Sequence, residues 1–526
     1  MDYDKLLKAM SDPAFYPHRP ECVQVIQTHI SYLFLAGAYV YKVKKAVDFG
    51  FLDFTTLQKR KFYCDEELRL NRRLAPDVYL DVAEISEDDG GNLLLGPGKC
   101  VVEYAVRMQL LPADRMLKAL LAKGEVAPSV IEAIAGKVAD FHRHAATGGT
   151  IDLMGGGEII RRNHEENFAQ MEQHVGATIQ DDEYRFIKSY AEEFLERQQE
   201  LLAGRVQEHR IRECHGDLHL EHICLADDII IFDCIEFNER FRYTDVAAEV
   251  AFLAMDLDYN GYPEHTRTFV NAYIRAAGDP DISRLLNFYQ CYYACVRGKI
   301  NSFRTHDHAI QPREREDAWK TATRYFDLAY AYAARPERPV LILTIGLMGT
   351  GKSALAKNLA PLLGATIIRT DVLRKELLHI SAMDRHYEGF GKGIYAEDVS
   401  RRTYEKALVL AREKIARGIP VIIDASYKRQ EERIRAYEAA KQMGVDFFII
   451  ECTCREEVIK KRLDARASRQ DEVSDGRWDI YHAQKSDFDP LTGFPPGVHL
   501  LVDTSTKPKT DTHEVIAHLQ KWARKQ

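Results

Sequence analysis

The stretch HGDLHLEHICLADDIIIFDCIEF, residues 215–237, places Asp217 on a His-Gly-Asp turn and Asp233 sixteen residues later, at the end of the apolar run DDIIIFD. Two carboxylates in that arrangement suit phosphoryl transfer. One stands near an acceptor hydroxyl, and the other binds the magnesium that bridges the nucleotide phosphates. Such a reaction needs positioning and charge neutralisation more than covalent chemistry. Asp217, on the turn, fits the first role. Asp233, presented by a strand at the edge of a cleft, fits the second.

Far downstream the chain carries an unrelated device for the same kind of group. Gly346, Leu347, Met348, Gly349, Thr350, Gly351, Lys352 and Ser353 match the pattern G-x-x-x-x-G-K-S. The glycines let successive backbone N–H groups wrap a β-phosphate at a helix N-terminus. Lys352 then reaches the β- and γ-phosphates, and the Ser353 hydroxyl contacts magnesium. The apolar run VLILTI precedes the loop and the helical pattern ALAKNLAPLL follows it, which is the context the motif requires. Asp371 closes one later strand and Asp424 another, so both border the cleft beyond the strand ends. Asp371 is a candidate for orienting or deprotonating an acceptor hydroxyl, and Asp424 for supporting the magnesium shell. Arg462, Arg466 and Arg469 share one helix face and form a candidate phosphate clamp. A solvated basic helix face is the alternative for them.

Positioning these groups takes two cores. The chain has 526 residues, 46% hydrophobic and 29% charged, with a net charge of −8. That balance gives no global reason to expect nucleic-acid binding, and no apolar run approaches the roughly 18 residues of a membrane span. No N-terminal leader is expected. The scattered cysteines match no zinc or redox spacing, which fits a reducing cytoplasm. His142 with His144, and His306 with His308, lack a further ligand at metal spacing. The proline-rich ARPERP, residues 334–339, marks the boundary. The first domain is expected over residues 1–336, with a strand-rich small lobe over about 1–106 and a helical lobe over about 107–336. The second is expected over 337–526, where strands and helices alternate as in a parallel sheet. The fold class is therefore an α+β bilobal protein-kinase-like domain followed by an α/β P-loop domain with a parallel sheet.

HGDLH with FDCIEF resembles the aminoglycoside-phosphotransferase-like kinases, a family that includes choline-kinase-like members. The resemblance implies that Asp217 is the catalytic aspartate and Asp233 the magnesium ligand. Strand alternation puts Lys42 and Lys44 of YVYKVKK on one face; the resemblance implies that one of them, Lys42 being favoured, binds phosphate, held by Glu67 of CDEELRLNRRLAP, and that Asp245 of RYTDVAAEVAF braces the catalytic loop. VVEYAVR would be the hinge, with the backbone of Glu103 and Ala105 facing the adenine, and LAGAY would stand in for the phosphate lid. One departure concerns the second metal position, where the family has asparagine and this chain has His222. Magnesium prefers oxygen ligands, so Glu236 is an alternative there. Residues 339–526 resemble the small P-loop kinases that include gluconate kinases, zeta-toxin-like kinases and polynucleotide 5′-kinases. In that group the segment IYAEDVSRRTYEKAL, residues 394–408, would lie near the acceptor. The domain order resembles a bacterial two-domain family.

These readings imply a bifunctional ATP-dependent phosphotransferase acting on hydroxyl groups of small molecules, with Mg2+ and with GTP as an alternative nucleotide. Two alternatives stand beside it. The P-loop half could be a polynucleotide 5′-kinase, or the first domain could be a nucleotide-sensing or protein-kinase-like module that regulates the second.

Overall fold

A computed structural model describes residues 3–307, 310–381, 393–467, 478–505 and 508–523. The chain separates into two compact units, Met1–Ala329 and Tyr330–Gln526. The division falls within the last turns of the helix Pro312–Ala334, before ARPERP, because those turns pack on the second unit. There Tyr330 lies against His513, and the Ala333 carbonyl accepts from Gln520.

The first unit opens with a six-stranded antiparallel sheet. Its spatial order is Val23–Gln27, Ser31–Ala36, Tyr39–Lys44, Cys100–Gln109, Tyr79–Glu87 and Leu93–Leu95. Alternation along Tyr39–Lys44 sorts its side chains. Tyr41 and Val43 pack with Phe34, Ala105 and the N-terminal helix residues Leu6 and Met10. Val40, Lys42 and Lys44 therefore face the other way, where Val40 packs with Val106 and with Cys64 of the helix Leu57–Asn71. Thr56 caps that helix by accepting the Lys59 N–H at 3.2 Å.

After the sheet the chain is mostly helical. At its centre lies Val246–Tyr259, buried at every position from Val246 to Leu257. The helix Ile282–Thr305 packs beside it and the helix Gly157–Met171 packs on Ile282–Thr305 in turn, and there His164 stacks on Phe288 and meets Tyr292 at a tilt, with ring centres 4.7 and 4.6 Å away. Burial pushes the His164 imidazole down from 6.5 to about 3. The unfolded chain takes up a proton there below about pH 6.5 and the folded chain does not, so this stability is present above pH 6.5 and is lost as the pH falls toward 3. His164→Phe is expected to remove that slope. In urea unfolding followed by near-ultraviolet circular dichroism, the variant should gain roughly 2 kcal/mol on the wild type between about pH 7.5 and pH 5. Parallel losses in the two proteins would contradict this account.

The second unit is a five-stranded, all-parallel sheet in the order Thr366–Arg369, Val421–Asp424, Val340–Ile345, Asp446–Thr453 and His499–Asp503. Its central strand, Val340–Ile345, is buried at all six positions, which explains the unbroken apolar run. Leu341, Leu343 and Ile345 pack against the helices Glu397–Ile415 and Gln430–Met443. The helix Lys352–Leu363 follows the central strand through the glycine loop. Among the described residues no helix is long and apolar enough to cross a membrane.

Candidate functional site

The sheet and the helix Leu57–Asn71 bring Lys42, Lys44 and Glu67 together. Lys42 Nζ lies 2.8 Å from Glu67 Oε1, and Lys44 Nζ lies 2.6 Å from Glu67 Oε2. One carboxylate thus joins two lysines on the same strand face. Lys42 also reaches Asp233 Oδ1 at 2.7 Å. Burial opposes the charge on Lys42, but Asp233 and Glu67 outweigh it and hold the ammonium well above its usual range. Lys44 is fully buried and bonds the carboxylate of Glu236 as well. Glu236 is therefore committed to a buried ion pair rather than offered as a metal ligand, which corrects the alternative assigned to it.

Asp217, His222 and Asp233 come from the helical lobe. The strand Ile211–Glu213 leads into the His-Gly-Asp turn, and the hairpin of Ile223–Leu225 with Ile229–Ile231 returns the chain to Asp233. Gly216 adopts φ +87, and a Cβ there would stand 3.2 Å from the Phe241 carbonyl, so the turn requires glycine. His215 Nε2 donates to the Phe232 carbonyl at 2.8 Å, tying the turn to the end of the hairpin. Asp233 itself has φ +63, a conformation that costs a non-glycine residue energy and recurs at functional positions. His222 stands between the two aspartates. Its Nδ1 is 2.9 Å from the Asp217 carbonyl, and its Nε2 is 3.5 Å from Asp233 Oδ2. Burial lowers the His222 pKa. Burial also works against the Asp217 and Asp233 carboxylates, but the hydrogen bond from His219 to Asp217 and the charge of Lys42 beside Asp233 leave both well below the usual range.

The loop is braced by residues that the sequence reading missed. Gly216 N–H donates to Glu249 Oε1 at 2.6 Å, and Leu220 N–H donates to Asp256 Oδ2 at 2.9 Å. Glu249 and Asp256 are seven residues apart on the buried helix Val246–Tyr259 and share one face. His142 holds the other oxygen of Glu249 at 2.6 Å, so this histidine is a core partner; His308 lies outside the described residues. Asp245 does not brace the loop as expected. Its carboxylate caps the helix at Ala247 N–H and takes a two-point ion pair from Arg205, at 2.6 and 2.9 Å. Asp256 is buried, and Asp258, two residues on, accepts from Thr266 at 2.6 Å.

Two further expectations change. Glu103 and Ala105 sit inside the strand Cys100–Gln109, which pairs on one side with Tyr39–Lys44 and on the other with Tyr79–Glu87. Ala105 lies opposite Val43 and Ala83, Glu103 lies opposite Ile85, and Arg60 holds the Glu103 side chain at 2.9 Å, so both stand within the sheet rather than in a connection between lobes. The connection between the lobes is residues 110–112, directly after that strand. LAGAY turns at the far end of the lysine strand, where Leu110 N–H donates to Ala38. The turn at the Lys44 end is residues 28–30.

In the second unit the glycine loop joins the central strand to the helix Lys352–Leu363. Gly346 has φ +132, and a Cβ there would meet the Cys452 carbonyl at 2.5 Å; a Cβ on Gly351, at φ +89, would meet Thr504 Oγ1 at 2.9 Å. Leu347, Met348, Gly349 and Thr350 make the turn. Thr350 Oγ1 and Lys352 Nζ both donate to the Leu347 carbonyl, at 2.8 Å, and Met348 N–H donates to Gln484 at 2.9 Å. Ser353 stands in the first turn of the helix. Thr504 donates to the Thr350 carbonyl at 2.5 Å, and Arg462 in turn donates to the Thr504 carbonyl at 2.7 Å and to that of Gly349 at 3.4 Å. Arg462 therefore grips the loop backbone, unlike the free clamp expected of it. Arg466 lies in the last turn of the same helix, Glu456–Ala467, and Arg469 lies outside the described residues.

Asp424 ends its strand beside the loop strand, accepts from Thr344 at 3.3 Å and has Arg369 3.8 Å away. Thr370 Oγ1 donates to the Asp424 carbonyl at 3.1 Å, bringing Asp371 to the same sheet edge, where Arg374 stands 3.5 Å from it. The segment 394–408 supplies Tyr395, under the Arg374 guanidinium at 4.8 Å, and Tyr404, 3.5 Å from the Ser426 hydroxyl.

Two family models match the chain: "Phosphotransferase enzyme family" over residues 62–288 and "AAA domain" over residues 341–491. Among solved structures, amicoumacin kinase hAmiN is 12% identical with a TM-score of 0.38, covering 62% of this chain and 93% of its own. A choline/ethanolamine kinase family protein from Mesorhizobium loti is 11% identical with a TM-score of 0.36, covering 62% and 99%. A gluconokinase from Sinorhizobium meliloti is 19% identical with a TM-score of 0.26, covering 36% and 95%. Uncharacterized protein Rv2004c of Mycobacterium tuberculosis and uncharacterized protein Mb2027c of Mycobacterium bovis are each 30% identical over 468 residues, which is 89% of this chain and 91% of theirs. In this chain a phosphotransferase-type kinase domain precedes a P-loop kinase-type domain, and the chain belongs to the family of these mycobacterial proteins.

Proposed function

We propose that the chain is an ATP-dependent phosphotransferase with two separate active sites, each passing the γ-phosphoryl group of ATP to a hydroxyl group of a small molecule. The observation that carries this reading is the convergence of Lys42, Glu67, Asp217 and Asp233 from separate elements of the first unit. The assembled glycine loop of the second unit supports it.

In the first site, Lys42 binds phosphate oxygens and Glu67 fixes its position. Asp217 orients the acceptor hydroxyl and takes its proton as the oxygen–phosphorus bond forms; the bond from phosphorus to the bridging oxygen breaks and ADP leaves. In the second site, the loop N–H groups and Lys352 cradle the phosphates, and Asp371 takes the proton of the acceptor. Asp424 and Ser353 offer oxygen ligands. Asp233 Oδ2 and Ser353 are hard donors that fit magnesium, which when bound neutralises charge on the transferred group. The net charge of −8 disfavours a polynucleotide acceptor. The ten unbonded cysteines fit a cytoplasmic setting.

The test is incubation of the full chain with γ-labelled ATP, magnesium and a bacterial metabolite extract. Label in organic phosphate esters of low mass supports the reading. Label confined to inorganic phosphate or to protein rejects it.

A further inference from the structure

His222 carries the inference that goes furthest, and it rests on the proposed reading of the first site. Its Nδ1 lies 2.9 Å from the Asp217 backbone carbonyl, an acceptor, so Nδ1 carries the proton, and in the neutral imidazole Nε2 presents a lone pair. That lone pair faces Asp233 Oδ2 across 3.5 Å. The other Asp233 oxygen is taken by Lys42 at 2.7 Å. Two acceptors thus face each other with no donor between them, an arrangement a bound cation reconciles. A histidine whose second nitrogen donates to a backbone carbonyl is also the usual orientation of a metal-ligating imidazole.

His219 differs. Its Nδ1 accepts from Glu221 N–H at 3.3 Å, so Nε2 carries the proton and points it at Asp217 Oδ2, 3.5 Å away. Although Asp217, His219 and His222 offer ligand atoms within 4.8 Å of one another, the hydrogen bonds leave only His222 with a free imidazole lone pair.

We infer that His222 Nε2 and Asp233 Oδ2 together hold the divalent cation of the first site, and that this nitrogen donor makes the site prefer a borderline first-row transition ion such as Mn2+ over Mg2+. Magnesium takes oxygen ligands in near-ideal octahedral geometry, whereas imidazole suits transition ions. Position 222 is thus a determinant of metal choice.

The test is electron spin-echo spectroscopy of Mn2+ with AMP-PNP on the full chain carrying Lys352→Ala, which weakens the second site. A nitrogen-14 coupling of a directly bonded imidazole is expected with His222 in place. It should vanish in His222→Asn, with Mn2+ affinity falling on the order of 10-fold or more and the Mn2+-to-Mg2+ ratio of first-site turnover falling with it. His219→Gln should keep the coupling. Bound Mn2+ without nitrogen coupling in the parent protein overturns the inference whether or not the His222 variant folds. So does a coupling that survives His222→Asn or disappears with His219→Gln. Phosphoryl transfer assayed in parallel separates the two claims. A first-site product without nitrogen coupling removes the metal assignment and leaves the kinase reading, and coupling without a product does the reverse.

Discussion

Asp217→Asn is expected to lower transfer by the first site on the order of 10²–10⁴-fold, the range for loss of a positioned general base, while nucleotide affinity there stays close to that of the wild type. The substitution keeps the size of the side chain and removes the group that accepts the hydroxyl proton. The loop should hold its shape, because its backbone is fixed by Glu249 and Asp256 rather than by the Asp217 carboxylate. Lys42, Glu67 and Asp233 keep their mutual contacts. The measurements are single-turnover transfer and equilibrium binding of a labelled nucleotide analogue, both with Lys352→Ala in the background. A variant that retains full turnover would remove Asp217 from the chemistry. One that loses nucleotide binding to the same degree as turnover would make it a binding residue instead.

Lys352→Ala should act differently, costing the second site both nucleotide affinity and turnover. Its ammonium is the charge that the glycine loop adds to its N–H groups, and removing one such electrostatic contact lowers turnover by roughly 10²–10³-fold. The loop itself should survive. Gly346 and Gly351 set its path, and Thr504 with Arg462 holds its carbonyls from outside. Because Lys352 donates to the Leu347 carbonyl at 2.8 Å, nucleotide binding must trade that bond for one to phosphate. Product formation in an Asp217→Asn background checks turnover, and stopped-flow binding of a fluorescent ATP analogue in that background, where the first site still binds, should lose only the one of its two phases that belongs to the second site. Unchanged affinity with normal turnover would mean that the loop does not serve the reaction.

Much of this arrangement was legible in the sequence because it depends on local pattern. Alternation in YVYKVKK places two lysines on one face, and the strand–loop–helix context of GLMGTGKS follows from an apolar run with a helix after it. The hinge was placed too early because VVEYAVRMQ reads as strand throughout, and only its pairing with two neighbours shows that it lies inside the sheet. Glu249 was overlooked, although a signal was present. In VAAEVAFLAMDL two acids seven residues apart interrupt an apolar helix, and buried charges require partners. Asp245, favoured on resemblance, instead stands at the cap, where the shortest route is to Arg205. Glu236 could not be distinguished from a metal ligand by spacing alone, because its lysine partner lies 192 residues away. Gln484, Thr504 and the inward grip of Arg462 likewise come from tertiary packing over more than a hundred residues.

The central claim is that two unrelated kinase folds in one chain each carry a working site. Its most direct test compares the wild type with Asp217→Asn and Lys352→Ala in labelled metabolite extract, with the products resolved by mass spectrometry. The account predicts that each variant loses a different phosphate ester and keeps the other. If Lys352→Ala abolishes every product while Asp217→Asn abolishes none, the first domain is no kinase and the claim of two active sites fails.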